Sequence, residues 1–161
     1  MCQIFRSVVL YSAAFVIFNA TSALADSSIL RVHIGEDIQI DLSEDDLLAL
    51  PQVEFTTSTI WTIGEVTFSG PALRTLLDTL DVADSDLELT AANDYSVRIP
   101  ADAIEADAPI IANRIDGKPF SLREKGPLWI VFPYDSSERY QSETVYSYSI
   151  WQLKSLRVLG P

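Results

Sequence analysis

Cysteine is nearly absent from this chain: Cys2 is the only one in 161 residues. No disulfide can form within it, and beyond the leading segment there is no thiolate for a metal ion or for nucleophilic catalysis. Histidine is equally scarce. His33 stands alone, which excludes a multi-histidine metal site, and its expected role is a surface or structural one. The sequence holds no G-x-S-x-G elbow, no phosphate-binding glycine loop and no H-E-x-x-H helix. Basic residues are few, with 11 Lys and Arg against 23 Asp and Glu, giving a net charge of −12. A chain this acidic is repelled by nucleic acid and by anionic membrane surfaces, so neither is expected as a partner. Long apolar runs are missing except near the start, where Val8 to Phe18 falls short of the roughly 20 residues a membrane span needs. Arg6 before that run and Ala23-Leu24-Ala25 after it read as a cleaved export signal over residues 1–25. The remainder, residues 26–161, is expected to be one periplasmic or secreted domain with no membrane contact after cleavage.

The apolar residues that are present organise around Asp116 to Asp135. Asp116-Gly117 signals a tight hairpin turn. A charged loop comes next, and then Leu128-Trp129-Ile130-Val131-Phe132, bounded by Pro127 and Pro133, reads as a strand buried on both faces at the centre of the core. Upstream, Ile29 to Ile34 and Asp37 to Leu42 alternate as a hairpin. Ser43 caps a helix over Glu44 to Leu50, with Asp46 as the acidic arm of a capping box and Pro51 as its stop. The run Glu44-Asp45-Asp46 lacks the pattern of a calcium loop and instead complements a helix N-terminus. Val53 to Thr59 and Trp61 to Phe68 read as strands. Gly70-Pro71 opens a helix over Ala72 to Leu80, carrying Leu73, Leu76, Leu77 and Leu80 on one face. Leu87 to Ala91 and Tyr95 to Ile99 form a hairpin around Asn93-Asp94. A brief turn at Ala101 to Ala103 and a strand from Pro109 to Ile115 come after it. Beyond a polar loop over Asp135 to Ser142, the chain ends with Val145 to Ser149 and a closing strand within Trp151 to Leu159. Many short strands with two or three short helices make an α+β single domain.

Two groups of side chains could carry chemistry. Arg114, Lys118, Arg123 and Lys125 cluster at one end of the central stretch, either to hold a phosphate or carboxylate or to balance Asp116 and Glu124. The aromatic residues Trp129, Tyr134, Tyr140, Tyr146, Tyr148 and Trp151 either line a cavity for a flat ligand or belong to the core.

Five segments in order are DLSEDDLLALP, FSGPALRTLL, LTAANDYSVRIP, IIANRIDGKPFSLREKGPLWIVFPYD and SIWQLKSLRV. This succession resembles the molybdopterin-binding domain of sulfite-oxidase-like oxidoreductases. The resemblance spans nearly all of residues 26–161 and implies a mixed-sheet α+β fold with a pterin held between loops at the sheet ends. It implies molybdopterin as cofactor, and it marks Asn93, Asp94 and Tyr95 at a corner beside the ligand. In catalytic members a cysteine thiolate binds molybdenum before the second segment, a place that falls on Thr57 to Thr59 here, with Ser58 the ungapped match. A hydroxyl is a poor equivalent of a soft sulfur ligand. The expectation is therefore a non-catalytic domain binding a small anionic or pterin-type ligand or a partner protein. Ser58, Trp61, Tyr134, Arg123 and Lys125 are expected to share one cleft. The alternative is an active molybdopterin-dependent oxidoreductase with a cysteine-free metal site.

Overall fold

The computed structural model describes residues 28–160, so the export signal expected over residues 1–25, Cys2 included, lies outside the described residues. The first hairpin forms as expected. β1 (Leu30–Ile34) pairs antiparallel with β2 (Ile38–Leu42), and Leu30 and Val32 point into the core. Ser43 then caps α1 (Glu44–Ala49). The Asp46 N–H donates to Ser43 Oγ at 3.1 Å, and the Ser43 N–H donates back to Asp46 Oδ2 at 2.8 Å. This capping box satisfies two backbone donors that the helix cannot.

β3 (Gln52–Ser58) and β4 (Glu65–Pro71) pair along their full lengths. The expectation that Trp61 lies in the second strand is corrected: residues 59–64 form a turn instead. Thr59 Oγ1 accepts the Trp61 N–H at 3.0 Å and bonds Thr62 Oγ1 at 2.9 Å, a local hydroxyl turn that competes with a ladder. This turn lifts Trp61 off the sheet and over the domain's aromatic residues. α2 (Leu73–Thr79) buries Leu73, Leu76 and Leu77, as the leucine spacing predicts. β5 (Leu87–Ala91) and β6 (Ser96–Ile99) make the expected hairpin, with Asp94 at φ +64° and the Tyr95 N–H donating to Asn93 Oδ1 at 3.2 Å.

The segment expected as one strand from Pro109 to Ile115 divides into β7 (Ile110–Ala112) and β8 (Arg114–Ile115), which join different sheets. The Asp116-Gly117 turn closes a minimal hairpin, with N–H donation both ways between Ile115 and Lys118 at 2.8 and 3.0 Å. β9 (Trp129–Val131) is fully buried as expected, yet it is not the centre of the main sheet. It pairs only with β7, plus a bridge from Trp129 to Trp151. α3 (Glu143–Tyr148) is capped by Ser142 Oγ, and its sequence lacks the leucine periodicity that marks α2. The closing strand β10 (Leu153–Val158) takes the central place: the five-stranded sheet runs β2-β1-β10-β5-β6, with β1 and β10 parallel and the other pairs antiparallel. A three-stranded sheet β3-β4-β8 and the β7-β9 ladder complete the domain. The fold is thus α+β around a mixed sheet with three α-helices among the described residues, as the sequence predicts. The burial of the 128–132 run is legible in its composition, but its place in the sheet order is a long-range fact.

Candidate ligand site

Three features frame a candidate site: two lie side by side where the β3–β4 turn meets the chain after β9, and the third is a loop that reaches their aromatic residues through Trp129. The first is a lock between Ser58 and Asp135. Ser58 ends β3 and presents both its backbone N–H and its hydroxyl to the Asp135 carboxylate, the hydroxyl donating to Oδ1 at 2.8 Å. In return the Asp135 N–H donates to Oγ1 of buried Thr57 at 3.1 Å, so the two segments are joined reciprocally. The Ser58 N–H, then its hydroxyl, hold the Asp135 carboxyl below the usual aspartate range, outweighing the opposing effect of desolvation. A group depressed in the folded state contributes stability that is present above its unfolded pKa of about 3.9 and is lost as pH falls through the folded value. Wild type is therefore expected to be more stable than Asp135→Asn at pH 7, with the gap closing in denaturant titrations below about pH 4. A gap that stays constant down to acid pH would mean that the carboxylate contributes nothing as an anion.

The second is a cavity of about 360 Å³ against the same turn, walled by Trp61, Tyr95, Tyr146 and Trp151, with Asn93 at its rim and no charged residue in its lining. Trp61 lies over the buried Trp129 at a centroid distance of 5.9 Å and meets Tyr134, Tyr146 and Trp151 at 6.3, 6.0 and 5.7 Å. All four contacts are steep, at 64° to 89° between ring planes, the edge-to-face arrangement that ring quadrupoles favour. Tyr134 is anchored from behind by a hydrogen bond to Ser149, and burial pushes its phenol up to about 12, so it stays neutral. Tyr146 also lines a smaller cavity of about 220 Å³ over Ser58 and Asp135, which puts the lock and the aromatic walls side by side.

The third is the basic loop. Ion pairs engage seven basic residues among the described residues, and Lys118, Arg123 and Lys125 are outside all of them. Glu124, which could neutralise them, instead closes a capping box on Ser121. Lys125 Nζ stands 5.8 Å from the Trp129 ring centroid, and its carbonyl accepts the Gln152 N–H at 3.0 Å, next to Trp151.

Of the residues singled out in the sequence, Ser58 and Tyr134 line the smaller cavity with Thr57 bonded to its edge, and Asn93 and Tyr95 reach the larger one beside Trp61 from the β5–β6 turn. Lys125 borders the group through Trp129. Asp94 turns away towards Lys154, Oδ1 to Nζ 3.5 Å. Arg114 is engaged by Glu44 at 2.6 Å from the start of α1, so it balances charge rather than serving this site. Arg123 is exposed on the loop. The six aromatic residues divide between both roles. Trp129, Tyr134 and Tyr140 are core, Tyr146 and Trp151 line the cavity, and Tyr148 packs on Phe132 at 6.5 Å. The Ser58 partner of Asp135 lies 77 residues away along the chain and leaves no local signal in the sequence.

These elements define an α+β domain of molybdopterin-binding-like fold. Among solved structures the chain is similar to the sulfane dehydrogenase SoxCD from Paracoccus pantotrophus, with a TM-score of 0.60 and 17% sequence identity. The match covers 80% of this chain and 37% of that one, so the chain spans well under half the length of that relative, and the likeness is one of fold. No protein-family model and no curated protein sequence matches the chain.

The residues present do not fit a molybdenum centre at the place the sequence resemblance implies. Thr57, Ser58 and Thr59 offer hydroxyls, and the Ser58 hydroxyl is already a donor to a carboxylate. A bound metal dithiolene is anionic and would meet Asp135 at that point, with like charge against like. Among the described residues no group of three or more His, Cys, Asp or Glu side chains is arranged to hold a metal ion.

Proposed function

We propose that the chain is an exported, non-catalytic binding module, a molybdopterin-domain-like fold whose cleft takes a small ligand or a segment of a partner protein. The observation that carries this reading is the Ser58–Asp135 lock. At the position where the resemblance implies a thiolate on a metal, a hydroxyl and an N–H are closed on a carboxylate, while the aromatic cavity beside them stays open. Lys118, Arg123 and Lys125, outside every ion pair among the described residues, support a ligand or partner with an anionic group, because charge-assisted contacts are available there without breaking one of those pairs. Export rests on residues 1–25. No helix among the described residues is long and apolar enough to cross a membrane.

The test is elemental analysis and pterin extraction on the full chain expressed with its leading segment in a molybdenum-replete host. The expected outcome is protein beginning at Asp26 by mass spectrometry, with neither stoichiometric molybdenum nor extractable pterin. Stoichiometric molybdenum would instead establish the alternative, a molybdopterin-dependent oxidoreductase with a cysteine-free metal site.

A further inference from the structure

We infer that the cavity walled by Trp61, Tyr95, Tyr146 and Trp151 is a site for a small quaternary-ammonium zwitterion, a betaine-type compound with a carboxylate a few atoms from the ammonium. The inference rests on the binding-module reading and names the ligand class of that same cavity. Its first support is the shape of the walls. Trp61 is inclined 64° to Trp151 and 89° to Tyr146, so these rings form a corner and not two parallel faces. A flat heterocycle is best held between parallel rings, whereas a compact, nearly spherical trimethylammonium group touches inclined rings on several sides at once. Ring quadrupoles attract such a cation within about 6 Å of their centroids.

The second support is the chemistry of the lining. Two Trp and two Tyr share the lining with Ala91, Ile150 and the neutral polar Asn93, Ser147 and Ser149, and no carboxylate lines it. A primary ammonium would bring three N–H donors that need acceptors, as a lysine does. A quaternary ammonium has none, so a cavity of rings satisfies it without a buried counter-ion. The volume of about 360 Å³ accommodates a group of this size.

The third support fixes the other end of the ligand. Lys125 lies outside the cavity lining but stands against its aromatic surround, with Nζ 5.8 Å from the Trp129 ring centroid, half-buried and free of any ion pair among the described residues. A plain cation would be repelled by it. A ligand with a carboxylate next to its ammonium turns the same charge into an attraction. No charged residue lines the cavity itself; the charges on the elements around it are Lys125 on the loop, Asp94 and Lys154 paired with each other, and Asp135 locked by Ser58.

The experiment is isothermal titration of the mature chain with glycine betaine, choline chloride, tetramethylammonium chloride, 3,3-dimethyl-1-butanol (the uncharged carbon isostere of choline) and quinoline as a flat probe. Glycine betaine is expected to bind saturably, about tenfold or more tighter than the neutral isostere, the scale expected when more than one ring face meets a desolvated cation. Tyr95→Ala, at a residue 54% exposed and outside the core, is expected to weaken betaine several-fold without unfolding the domain. Trp151→Ala is expected to weaken it further. Lys125→Gln is expected to weaken betaine while leaving tetramethylammonium unchanged or tighter. Equal or tighter binding of the neutral isostere or of quinoline would overturn the ammonium assignment and leave the binding module standing. If no probe in the set binds to a folded wild-type chain, the ammonium assignment falls and the cavity loses its place in the binding-module reading as well.

Discussion

Gly70→Ala is expected to cost this domain about 3 kcal/mol or more, at or above the usual upper end for overpacking a core position. The reason is proximity and not backbone freedom. Gly70 lies in β4, where a Cβ would stand 2.0 Å from the carbonyl oxygen of Ile111, 2.8 Å from its carbon and 2.9 Å from Ala112 Cα. These are backbone atoms of β7, so no rotamer change can relieve the clash. β4 is also the strand that ties the smaller sheets together. It pairs with β3 and β8, its Ser69 carbonyl accepts the Asn113 N–H at 3.0 Å, and beyond its end Ala72 bridges to Ile110 while the Leu73 N–H donates to the Pro109 carbonyl at 2.8 Å. A shift of β7 would therefore disturb β9 and, through Trp129, the Trp61 and Trp151 walls of the aromatic cavity. With total stabilities of about 5–15 kcal/mol usual for a domain, a loss of this size is a large fraction. Urea titration is expected to show a lower midpoint with an unchanged slope. Gly35→Ala is the control: no atom lies within 4 Å of its Cβ, and only its φ of +62° opposes the change, for about 1 kcal/mol. Equal costs at the two positions would refute the close-approach argument.

What the sequence predicts and what it misses separate along physical lines. Elements set by local rules are legible: the Ser43 capping box, the leucine face of α2, the Asp116-Gly117 turn, the alternating hairpins. Each depends on residues within a few positions of one another. Features that depend on distant partners are not. The central place of β10 comes from pairing with β1 and β5, both far upstream along the chain, and nothing in LKSLRV distinguishes a central strand from an edge. The turn at residues 59–64 is a middle case, because β-branched residues favour a strand there while threonine hydroxyls close a turn. In the candidate site, Ser58, Trp61 and Tyr134 are singled out by the resemblance and by composition, and the structure brings them near one another. The bond between Ser58 and Asp135, which decides the chemistry of Ser58, leaves no such signal. Arg114 is misplaced for the same reason: its carboxylate partner, Glu44, comes from another part of the chain.

Trp129→Ala is expected to cost about 3–5 kcal/mol, the usual range for removing a fully buried large aromatic side chain. Trp129 is 1% exposed and packs edge-to-face on Phe68, Trp61 and Trp151 at 5.4, 5.9 and 6.2 Å. Its indole N–H donates to the Ser149 carbonyl at 3.3 Å, which ties β9 to the end of α3. The substitution removes ring volume, three ring contacts and that donor together. Trp129→Phe separates these terms, since it retains a ring but leaves the buried carbonyl without its donor, for about 1–3 kcal/mol. The functional consequence comes from position. Trp129 is the surface on which Trp61 and Trp151 rest, so its loss is expected to loosen the cavity walls even in protein that remains folded. A double-mutant cycle of Trp129→Leu with Trp61→Leu, which removes both rings, is expected to give a coupling of about 0.5–1.5 kcal/mol, the scale of a single aromatic pair. A cost below about 1.5 kcal/mol for Trp129→Ala would show that the site collapses around the missing ring. In that case the cavity walls would have to be held by the Tyr134–Ser149 hydrogen bond and the Trp61–Tyr146 contact instead, and Tyr134→Phe would become the substitution that opens the site.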